Sequence, residues 1–364
     1  MQLAPRFVMI GGFLGAGKTT TISRLANHYR QQGKNVAIVT NDQATDLVDT
    51  LLLRSQGFNV GEVAGSCFCC NFNALTSTVE SLSQAQRPDI VLAEPVGSCT
   101  DLVATVIRPL EQIYEQKFDI APYGVVIKPS HGIKILSGSG QRGFSKKAEY
   151  IFLKQIEEAD FLIVNRIDEL SDEQLAQLDS NIQSQFPGIP VVRVSAKLGT
   201  GFDALTEHLS LQGVFGTRVM DVDYEIYAEG EAELGWLNCQ AQVSAKSSVD
   251  LDSFLLNLVE RLKAAFQRDD AEIAHLKVVG QTEGIVAVTN LVSNDSSVTL
   301  SVPSQWSGKQ FELILNARVA TSPENLEAQV RDLVDLQSRE VGAQATMEAL
   351  QCFRPGKPVP THRI

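Results

Sequence analysis

Residues 12–19 have the types and spacing of a phosphate-binding loop. They read Gly-Phe-Leu-Gly-Ala-Gly-Lys-Thr and fit the pattern G-x-x-x-x-G-K-[ST], in which backbone N–H groups of a glycine-rich loop surround the phosphates of a nucleotide. Lys18 is expected to contact the β- and γ-phosphates, and the Thr19 hydroxyl to ligate Mg²⁺. The alternative is a glycine-rich turn that carries a lysine by chance. The residues predicted to bind the phosphates are Gly12, Gly15, Ala16, Gly17, Lys18, Thr19 and Thr20.

Three cysteines lie within four positions, at Cys67, Cys69 and Cys70. Adjacent cysteines rarely reach disulfide geometry, whereas thiolates are good ligands for Zn²⁺, Cu(I) and, more weakly, Co²⁺. Tetrahedral Zn²⁺ takes four ligands, so the fourth would be Glu62, a water or the side chain of a partner. The alternative is that these are buried cysteines acting as small hydrophobic residues. The cluster predicts a site for Zn²⁺, Co²⁺ or another transition metal.

Acidic residues at the ends of predicted strands are candidates for the Mg²⁺ side of the nucleotide site. Glu94 follows an apolar strand and is expected to hold Mg²⁺ directly or through water; with Lys18 it is the residue expected to take part in catalysis. Asp42 and Asp49 are further candidates. Such a residue can simply cap the next helix, but the shared location at strand carboxyl ends favours a function. Gly97 would let the backbone approach the γ-phosphate.

Two short elements predict guanine recognition. Asn165-Arg166-Ile167-Asp168 resembles the Asn-Lys-x-Asp element of GTPases, in which the Asp168 carboxylate would accept hydrogen bonds that adenine does not offer. Ser195-Ala196-Lys197 follows the next predicted strand and matches the Ser-Ala-Lys element whose backbone contacts the guanine oxygen. The alternatives are an ordinary helix start and a turn. The pair, in this order, favours GTP over ATP and assigns Asn165, Asp168, Ser195 and Ala196 to the base.

The elements that must position these residues alternate between strand and helix in the first part of the chain. Apolar strands are predicted at 7–10, 36–40, 89–93, 161–164 and 191–194, with helices at 73–84, 150–158, 172–185 and 202–211. Apolar strands separated by helices predict a parallel sheet that is covered on both faces. The glycine-rich residues 127–145 predict a long mobile loop.

The pattern changes after residues 212–217, where a second domain is predicted to begin. Strands are predicted at 237–245, 275–279, 284–290, 297–302 and 311–317, with helices at 251–266 and 323–336. We therefore predict an α/β P-loop NTPase domain with a mostly parallel sheet at 1–212. A small α+β C-terminal domain follows at 213–338, and an extended tail at 339–364.

Composition excludes several classes of function. The 364 residues carry a formal net charge of −12, which argues against a broad nucleic-acid interface. No run of apolar residues is long enough for a membrane span, and the residues before the first strand leave no room for a signal peptide. Clustered thiols indicate a reducing compartment. We expect a cytoplasmic protein with neither a nucleic-acid nor a membrane partner.

Taken together, the motifs resemble those of the CobW/HypB/UreG group of GTPases, and within it the CobW-like metallochaperones. The resemblance rests on the phosphate loop, Glu62 before Cys-x-Cys-Cys, Glu-x-x-Gly at Glu94, Asn-Arg-Ile-Asp and Ser-Ala, and it covers residues 7–211. It implies a GTPase that binds Zn²⁺ or a related ion at the cysteines. Hydrolysis would be coupled to delivery of the metal to a client metalloprotein or cofactor-assembly protein, and a homodimer is possible. Ser66 and Pro95 depart from the group's usual residues and indicate a divergent member.

Two other functions fit the same motifs. One is a non-catalytic, GTP-dependent metal-binding switch, since no residue is an evident water-positioning glutamine or arginine finger and turnover is expected to be slow. The other is an ATP-using P-loop enzyme. His131, His275 and His362 are further candidate ligands, although a lone histidine is more often solvated or hydrogen-bonded. Cys99 is expected to be simply buried.

Overall fold

A computed structural model describes residues 4–41, 48–114, 117–137 and 145–364. They divide into two units by their internal contacts. The first consists of the described parts of Met1–Thr45, Gln56–Gly230 and Lys357–Ile364, and the second of the described parts of Asp46–Ser55 and Glu231–Gly356. The sequence places the division near residue 212, whereas the first unit continues to Gly230. One cause is a hydrogen bond from the Gly216 amide to Asp160 at 2.8 Å, which no sequence pattern signals.

Asn59–Val63 and Ala343–Phe353 are strands that were not predicted, whereas every predicted strand is present. The strands are numbered in chain order. They are β1 (Arg6–Gly12), β2 (Val36–Asn41), β3 (Asn59–Val63), β4 (Ile90–Glu94), β5 (Asp119–Ile120), β6 (Gly124–Ile127), β7 (Phe161–Val164), β8 (Val191–Arg193), β9 (Gly235–Asp250), β10 (Ile273–Thr282), β11 (Ile285–Leu291), β12 (Thr299–Val302), β13 (Ser307–Val319) and β14 (Ala343–Phe353). The first eight belong to one sheet and the remaining six to another.

The helices connect and cover these strands. They are α1 (Lys18–Gln31), α2 (Val48–Ser55), α3 (Phe72–Ala85), α4 (Arg108–Gln112), α5 (Pro129–Leu136), α6 (Lys146–Glu158), α7 (Asp172–Gln185), α8 (Phe202–Leu209), α9 (Tyr224–Glu231), α10 (Leu251–Arg268) and α11 (Pro323–Glu340). A π-helical turn at Val103–Ile107 leads into α4, and a 3-10 turn lies at Ile167–Glu169.

The first unit is a parallel sheet in the order β3-β2-β4-β1-β6-β7-β8, with β5 paired to β1. All of these pairings are parallel. Every residue of β4, β6 and β7 is buried, which requires that helices cover both faces. The predicted α/β P-loop fold is confirmed. Because parallel strands end at the same edge, the carboxyl ends of β2, β4 and β1 are neighbours.

Helix α5 replaces part of the loop that the sequence predicts at 127–145. Pro129 lies in its first turn, where the fixed φ of proline favours a helix. Gly132 permits close packing, since a Cβ there would lie 2.8 Å from the Cδ1 of Leu178 in α7. The prediction of a loop throughout 127–145 was therefore wrong at α5, and residues 138–144 lie outside the described residues.

The second unit is an antiparallel sheet in the order β12-β11-β10-β13-β9-β14. Side chains alternate between its faces. Leu313 and Leu315 of β13 belong to the core formed with α10 and α11, whereas Ile314 lies in a second cluster, against Leu51 and Leu52 of α2. The predicted small α+β region is confirmed, and α2 is an addition to it that the sequence did not reveal.

The predicted extended tail is in part a strand of this sheet. Residues of β14 pair with β9 along the edge, and the remainder, from residue 354 onward, contains no helix or strand. In the described part of the chain, no helix is long and apolar enough to cross a membrane.

Candidate functional site

The phosphate loop lies between the end of β1 and the start of α1, as predicted. Gly17 has a φ of 96°, a left-handed conformation, and a Cβ there would lie 2.4 Å from the Nδ2 of Asn165. Only glycine fits this position without strain. Helix α1 begins without a side-chain cap and without an acidic residue in its first turn. Its N-terminal N–H groups therefore suit an anion such as a phosphate.

Lys18 lies against the loop that follows β4. The lysine is only 8% exposed, and its Nζ donates to the Phe13 carbonyl at 3.4 Å. A Cβ on Gly97 would lie 3.0 Å from this Nζ and 2.8 Å from the Cδ2 of Leu14. A side chain at position 97 would therefore displace Leu14 or Lys18. The loop after β4 thus packs directly against Lys18.

Thr19 and Glu94 are brought together, as the sequence predicts for an Mg²⁺ site. The Thr19 hydroxyl donates to the Glu94 Oε1 at 2.9 Å, and Glu94 is buried. A hydroxyl and a carboxylate are the oxygen ligands that Mg²⁺ takes beside phosphates, so the residues present fit this ion. Asp42 lies outside the described residues. Asp49, the other candidate, forms an ion pair with Lys277 in the second unit.

Asn165 connects the phosphate loop to both predicted base-binding elements. Its Oδ1 accepts from the amides of Arg166 at 2.8 Å and Ala196 at 2.9 Å. Its Nδ2 donates to the Ala16 carbonyl at 2.9 Å. A buried amide with all of these partners holds three segments in a fixed relation. Ala16 and Ala196, named separately from sequence, are thereby joined through one side chain.

Asp168 and Ser195 flank this amide. Asp168 lies exposed in the 3-10 turn, which follows Arg166 in a left-handed conformation with φ 59°. Ser195 is buried, and its hydroxyl accepts from the Leu198 amide at 3.1 Å. An exposed carboxylate beside an ordered turn is accessible to the donors of an incoming base.

Arg24 is a residue that the sequence reasoning missed. From α1, its guanidinium donates to the carbonyls of Ala196 at 2.7 Å and Lys197 at 2.9 Å. It therefore holds the Ser-Ala-Lys element against the helix that begins at the phosphate loop. An arginine on a helix surface has no spacing signature, so only the structure could assign this role.

The thiols of Cys67, Cys69 and Cys70 converge, as predicted. The distance between the Sγ atoms of Cys67 and Cys69 is 2.7 Å, between those of Cys67 and Cys70 3.1 Å, and between those of Cys69 and Cys70 3.7 Å. A tight turn causes this, because the amides of Cys70 and Asn71 both donate to the Cys67 carbonyl at 3.0 Å. Within the described residues these cysteines form the single group that could hold a metal ion. Glu62 is not part of it, and its role as a fourth ligand stays a prediction.

The asparagine at the end of β2 holds the cysteine turn in place. The Oδ1 of Asn41 accepts from the Phe68 amide at 2.8 Å, and its Nδ2 donates to the carbonyls of Val63 at 2.8 Å and Ser66 at 2.7 Å. Strand β2 neighbours β4 in the sheet. The cysteine turn is therefore attached to the same sheet edge from which Glu94 emerges.

The thiols differ in acidity because they contact one another. Hydrogen bonds from Cys69 and then Cys70 lower the pKa of the Cys67 thiol well below its usual range. The same contacts, with Cys67 first, raise the pKa of Cys69, and contact with Cys67 raises the pKa of Cys70 to about 11. Because a metal ion binds thiolates, it must displace protons from the thiols whose pKa is raised.

Residues 357–364 lie against the cysteine turn. The Thr361 amide donates to the Cys69 carbonyl at 2.8 Å, and the Thr361 hydroxyl to the Cys70 carbonyl at 3.1 Å. The His362 ring packs edge-on against Phe72, with 5.3 Å between ring centroids.

The other candidate histidine ligands do not join the cysteines. His131 is buried, and burial lowers its pKa. Of the described residues, no histidine belongs to the metal-binding group.

Comparisons with known proteins identify a matching family and several similar proteins. The family model described as CobW/HypB/UreG, nucleotide-binding domain, matches residues 6–193. The chain is similar to the zinc chaperone YeiR of Escherichia coli K12, with 28% identity over 169 residues, which is 45% of this chain and 47% of YeiR. It is also similar to the urease accessory protein UreG of Metallosphaera sedula, with 30% identity over 235 residues, which is 58% of this chain and 98% of UreG.

Solved structures with a similar arrangement include HypB from Helicobacter pylori in complex with nickel. That similarity has a TM-score of 0.40 and 16% identity over 58% of this chain and 92% of HypB. Another is Zn(II)-bound YjiA GTPase from E. coli, with a TM-score of 0.37 and 14% identity over 91% of this chain and 99% of YjiA. The sequence match to YeiR spans less than half of that protein's length, 47%.

Proposed function

The chain belongs to the CobW/HypB/UreG family, whose model matches residues 6–193, and from this premise we propose that it is a GTP-hydrolysing metallochaperone. It binds Zn²⁺ or a related transition metal as cargo at Cys67, Cys69 and Cys70. Binding and hydrolysis of GTP are coupled to delivery of that metal, or to assembly of a metal cofactor. The relatives support this assignment, since one is named a zinc chaperone and another a urease accessory protein.

One observation carries the proposal: the thiol group and the Thr19–Glu94 pair depend on the same edge of one sheet. Glu94 is the last residue of β4, and Asn41, which holds the cysteine turn, is the last residue of the neighbouring β2. Nucleotide and metal sites that share adjacent strand ends can influence each other through short, buried segments. A metal site with no relation to the nucleotide would not need this placement.

The residues of the nucleotide site have separate tasks. Lys18 and the N-terminal N–H groups of α1 bind the phosphates and neutralise their charge. Asn165 keeps the phosphate loop in register with the base site, and Asp168 selects guanine by accepting its hydrogen bonds. Thr19 and Glu94 would hold Mg²⁺, which when bound stabilises the charge that develops on the transferred phosphate.

The residues of the metal site suit a cargo that must be released. Thiolates bind Zn²⁺ tightly, and each proton that returns to a sulfur weakens that binding. We also propose a reducing, cytoplasmic setting, because these sulfurs must remain unoxidised. We propose that its partner is a client metalloprotein or cofactor-assembly protein. We also propose that the protein can form a homodimer.

The test is GTP hydrolysis by the purified protein, with and without Zn²⁺ and Co²⁺. We expect turnover that Lys18→Ala abolishes and that metal changes in the parent but not in a triple Cys67→Ser, Cys69→Ser, Cys70→Ser variant. Metal binding that depends on bound GTP, in a protein that does not hydrolyse GTP, would identify a non-catalytic switch. Equal turnover of ATP and GTP would identify an ATP-using enzyme. Zn²⁺ binding by the triple variant as tight as in the parent would place the metal elsewhere.

A further inference from the structure

A further cysteine lies beside the metal group, on the loop that follows β4. Cys99 is 1% exposed, and its thiol is within hydrogen-bonding reach of Cys67 and Cys69, although its sulfur does not lie within 4.8 Å of all three thiols of the turn. It is separated from the cysteine turn by α3 and β4 in sequence, so spacing gives no sign of the contact. Simple burial, the expectation from sequence, accounts for its low exposure but not for its position against two other thiols.

The backbone around Cys99 is held from α6. The Nε2 of Gln155 donates to the carbonyls of Gly97 at 3.0 Å and Cys99 at 2.8 Å. Glu158, one helical turn later, accepts from the Thr100 hydroxyl at 3.3 Å and from the Val103 amide at 3.1 Å. Buried hydrogen bonds on both sides of Cys99 hold its backbone beside the cysteine turn, so that a small movement of this loop is enough to bring its sulfur to a metal or to withdraw it.

We propose that Cys99 is the fourth ligand of the metal, so that the site holds the ion with four thiolates. The inference rests on the proposed function, in which Cys67, Cys69 and Cys70 bind the cargo metal. A Zn–S bond of about 2.3 Å in a tetrahedron places the sulfurs about 3.8 Å apart. The three thiols of the turn are 2.7 to 3.7 Å apart, and Cys99 lies outside their group, so the turn must open slightly and Cys99 must approach it to accept the ion. Cys99 supplies a sulfur where Glu62 or water was expected.

This ligand would also connect the metal to the nucleotide. Cys99 lies five residues after Glu94 in the chain, and Gly97 between them packs against Lys18. A shift of this loop when the γ-phosphate leaves would withdraw Cys99 and leave the metal on three thiolates. Closed four-thiolate sites are typical of retained zinc, whereas an open position permits exchange. Loss of one sulfur is therefore a chemical route from tight binding to transfer.

The experiment is X-ray absorption of the Zn²⁺-loaded protein under reducing conditions, supported by absorption of the Co²⁺ form. We expect four sulfur neighbours in the parent and three in Cys99→Ala. The sulfur-to-cobalt charge-transfer band should weaken by about one quarter, one thiolate in four. Zn²⁺ affinity should fall at least about 10-fold, the loss that even outer partners of metal ligands cause. Cys239→Ala, which removes a buried thiol in the second unit, is the matched control and should change neither quantity.

Three sulfur neighbours in the parent would overturn the inference, and this result needs no variant to fold. Unchanged coordination in Cys99→Ala would also overturn it. Cys99→Ser, which keeps the volume, repeats the test if the alanine variant loses GDP binding. The triple variant of the cysteine turn separates the two proposals. If it abolishes Zn²⁺ binding while Cys99→Ala leaves the sulfur count unchanged, the metal site stands and only the role of Cys99 is wrong.

Discussion

The side-chain amides of Asn165 and Asn41 each form hydrogen bonds to the backbone of separate segments. Asn165 bonds to Ala16 of the phosphate loop and to Ala196 of the base-binding element. Asn41 bonds to both sides of the cysteine turn. Because an amide carries both donors and an acceptor, a single side chain can tie together segments that lie far apart in sequence. Both sites are thereby attached to the ends of strands in the same sheet.

At Asp168 we predict a change in base preference. In Asp168→Asn the acceptor for the guanine donors is partly replaced by a donor, so the preference for GDP over ADP should fall, while the phosphate contacts remain. A lost hydrogen bond to a charged group corresponds to about 1.5–3 kcal/mol of binding free energy. Calorimetric titration of both nucleotides measures this directly, with Asp172→Asn in α7 as the control. Equal GDP and ADP affinity in the parent would contradict the guanine assignment.

Residue types alone were sufficient to predict much of this site. Lys18 and Thr19 follow from motif spacing and Glu94 from its place at a strand end. The structure joins Thr19 to Glu94 and packs Lys18 against Gly97 in the loop that follows Glu94. Arg24 and Cys99 could not be predicted, because each reaches its partners only through the folding of distant segments. A long-range contact leaves no local pattern in the sequence, and a single sequence contains no covariation that could reveal it.

At the scale of elements, the loop after β4 and helix α6 form the central connection. The loop runs from Glu94 to Asp101 with every residue buried, and Gln155 and Glu158 of α6 hold its backbone. Burial raises the pKa of Glu158 from 4.5 to about 8. The carboxyl is therefore protonated in the folded protein at pH values at which the unfolded chain ionises it.

Because the pKa of Glu158 is raised in the folded protein, the free energy of unfolding should decrease as the pH rises. The protonated Glu158 carboxyl contributes its full stabilisation at pH values below 4.5, the pKa in the unfolded chain. That stabilisation is lost progressively between pH 4.5 and about 8, the pKa in the folded protein. Glu158→Gln removes the titration, so the variant should gain on the parent by ~1.4 kcal/mol of unfolding free energy per pH unit across this window. Urea denaturation at several pH values measures the difference, and exposed Glu157→Gln is the control. A difference that does not change with pH would contradict the assignment.

Residues 357–364 form a second connection to this loop. Arg363 donates to the buried Asp101 at 2.8 Å, Tyr224 donates to the same carboxylate at 2.6 Å, and the Ile364 amide donates to Ala104 at 2.9 Å. The Arg363 side chain is 41% exposed and that of Asp101 only 1%. Solvent therefore screens the pair from one side only.

We predict that Arg363→Ala loosens this segment from the cysteine turn. Removing one partner of a fully buried ion pair lowers the free energy of unfolding by about 3–5 kcal/mol. Because Arg363 is partly exposed, we expect a smaller decrease of about 1–2 kcal/mol. Hydrogen exchange at the Thr361 and Ile364 amides should accelerate, whereas Arg331→Ala, which breaks an exposed pair on α11, should leave both rates unchanged. Unchanged protection in Arg363→Ala would show that the hydrogen bonds of the backbone suffice.

Element prediction succeeded where hydrophobic patterns were strong and failed where they were weak. The apolar strands of both sheets and the amphipathic helices α10 and α11 are found within a few residues of their predicted bounds. Strand β14 lies at a sheet edge, where it alternates mostly half-buried and exposed residues and none is fully buried, so it lacks the continuous apolar run by which most of the other strands were predicted. Helix α2 was not predicted, because its apolar residues Leu51 and Leu52 are covered by a sheet formed far later in the chain.

At the scale of the molecule, the chain passes from the first unit to the second and back twice. The first excursion is α2, which follows strand β2 and belongs to the second unit, where Leu51 and Leu52 pack against the sheet and Asp49 forms an ion pair with Lys277. The chain returns to the first unit for the last time at residues 357–364, the segment that lies against the cysteine turn. Both connections begin or end beside groups that the proposed function assigns to nucleotide or metal.

The central claim is that nucleotide controls metal affinity. If GTP and metal act through shared segments, linkage requires each to change the affinity of the other by the same factor, typically about 5- to 150-fold. The most direct measurement is a competitive Zn²⁺ titration of the protein loaded with GDP and with a non-hydrolysable GTP analogue, both with Mg²⁺. The account predicts tighter Zn²⁺ binding in the GTP-analogue form, and no nucleotide effect in Lys18→Ala. Identical Zn²⁺ affinities in the two nucleotide forms of the parent would contradict it.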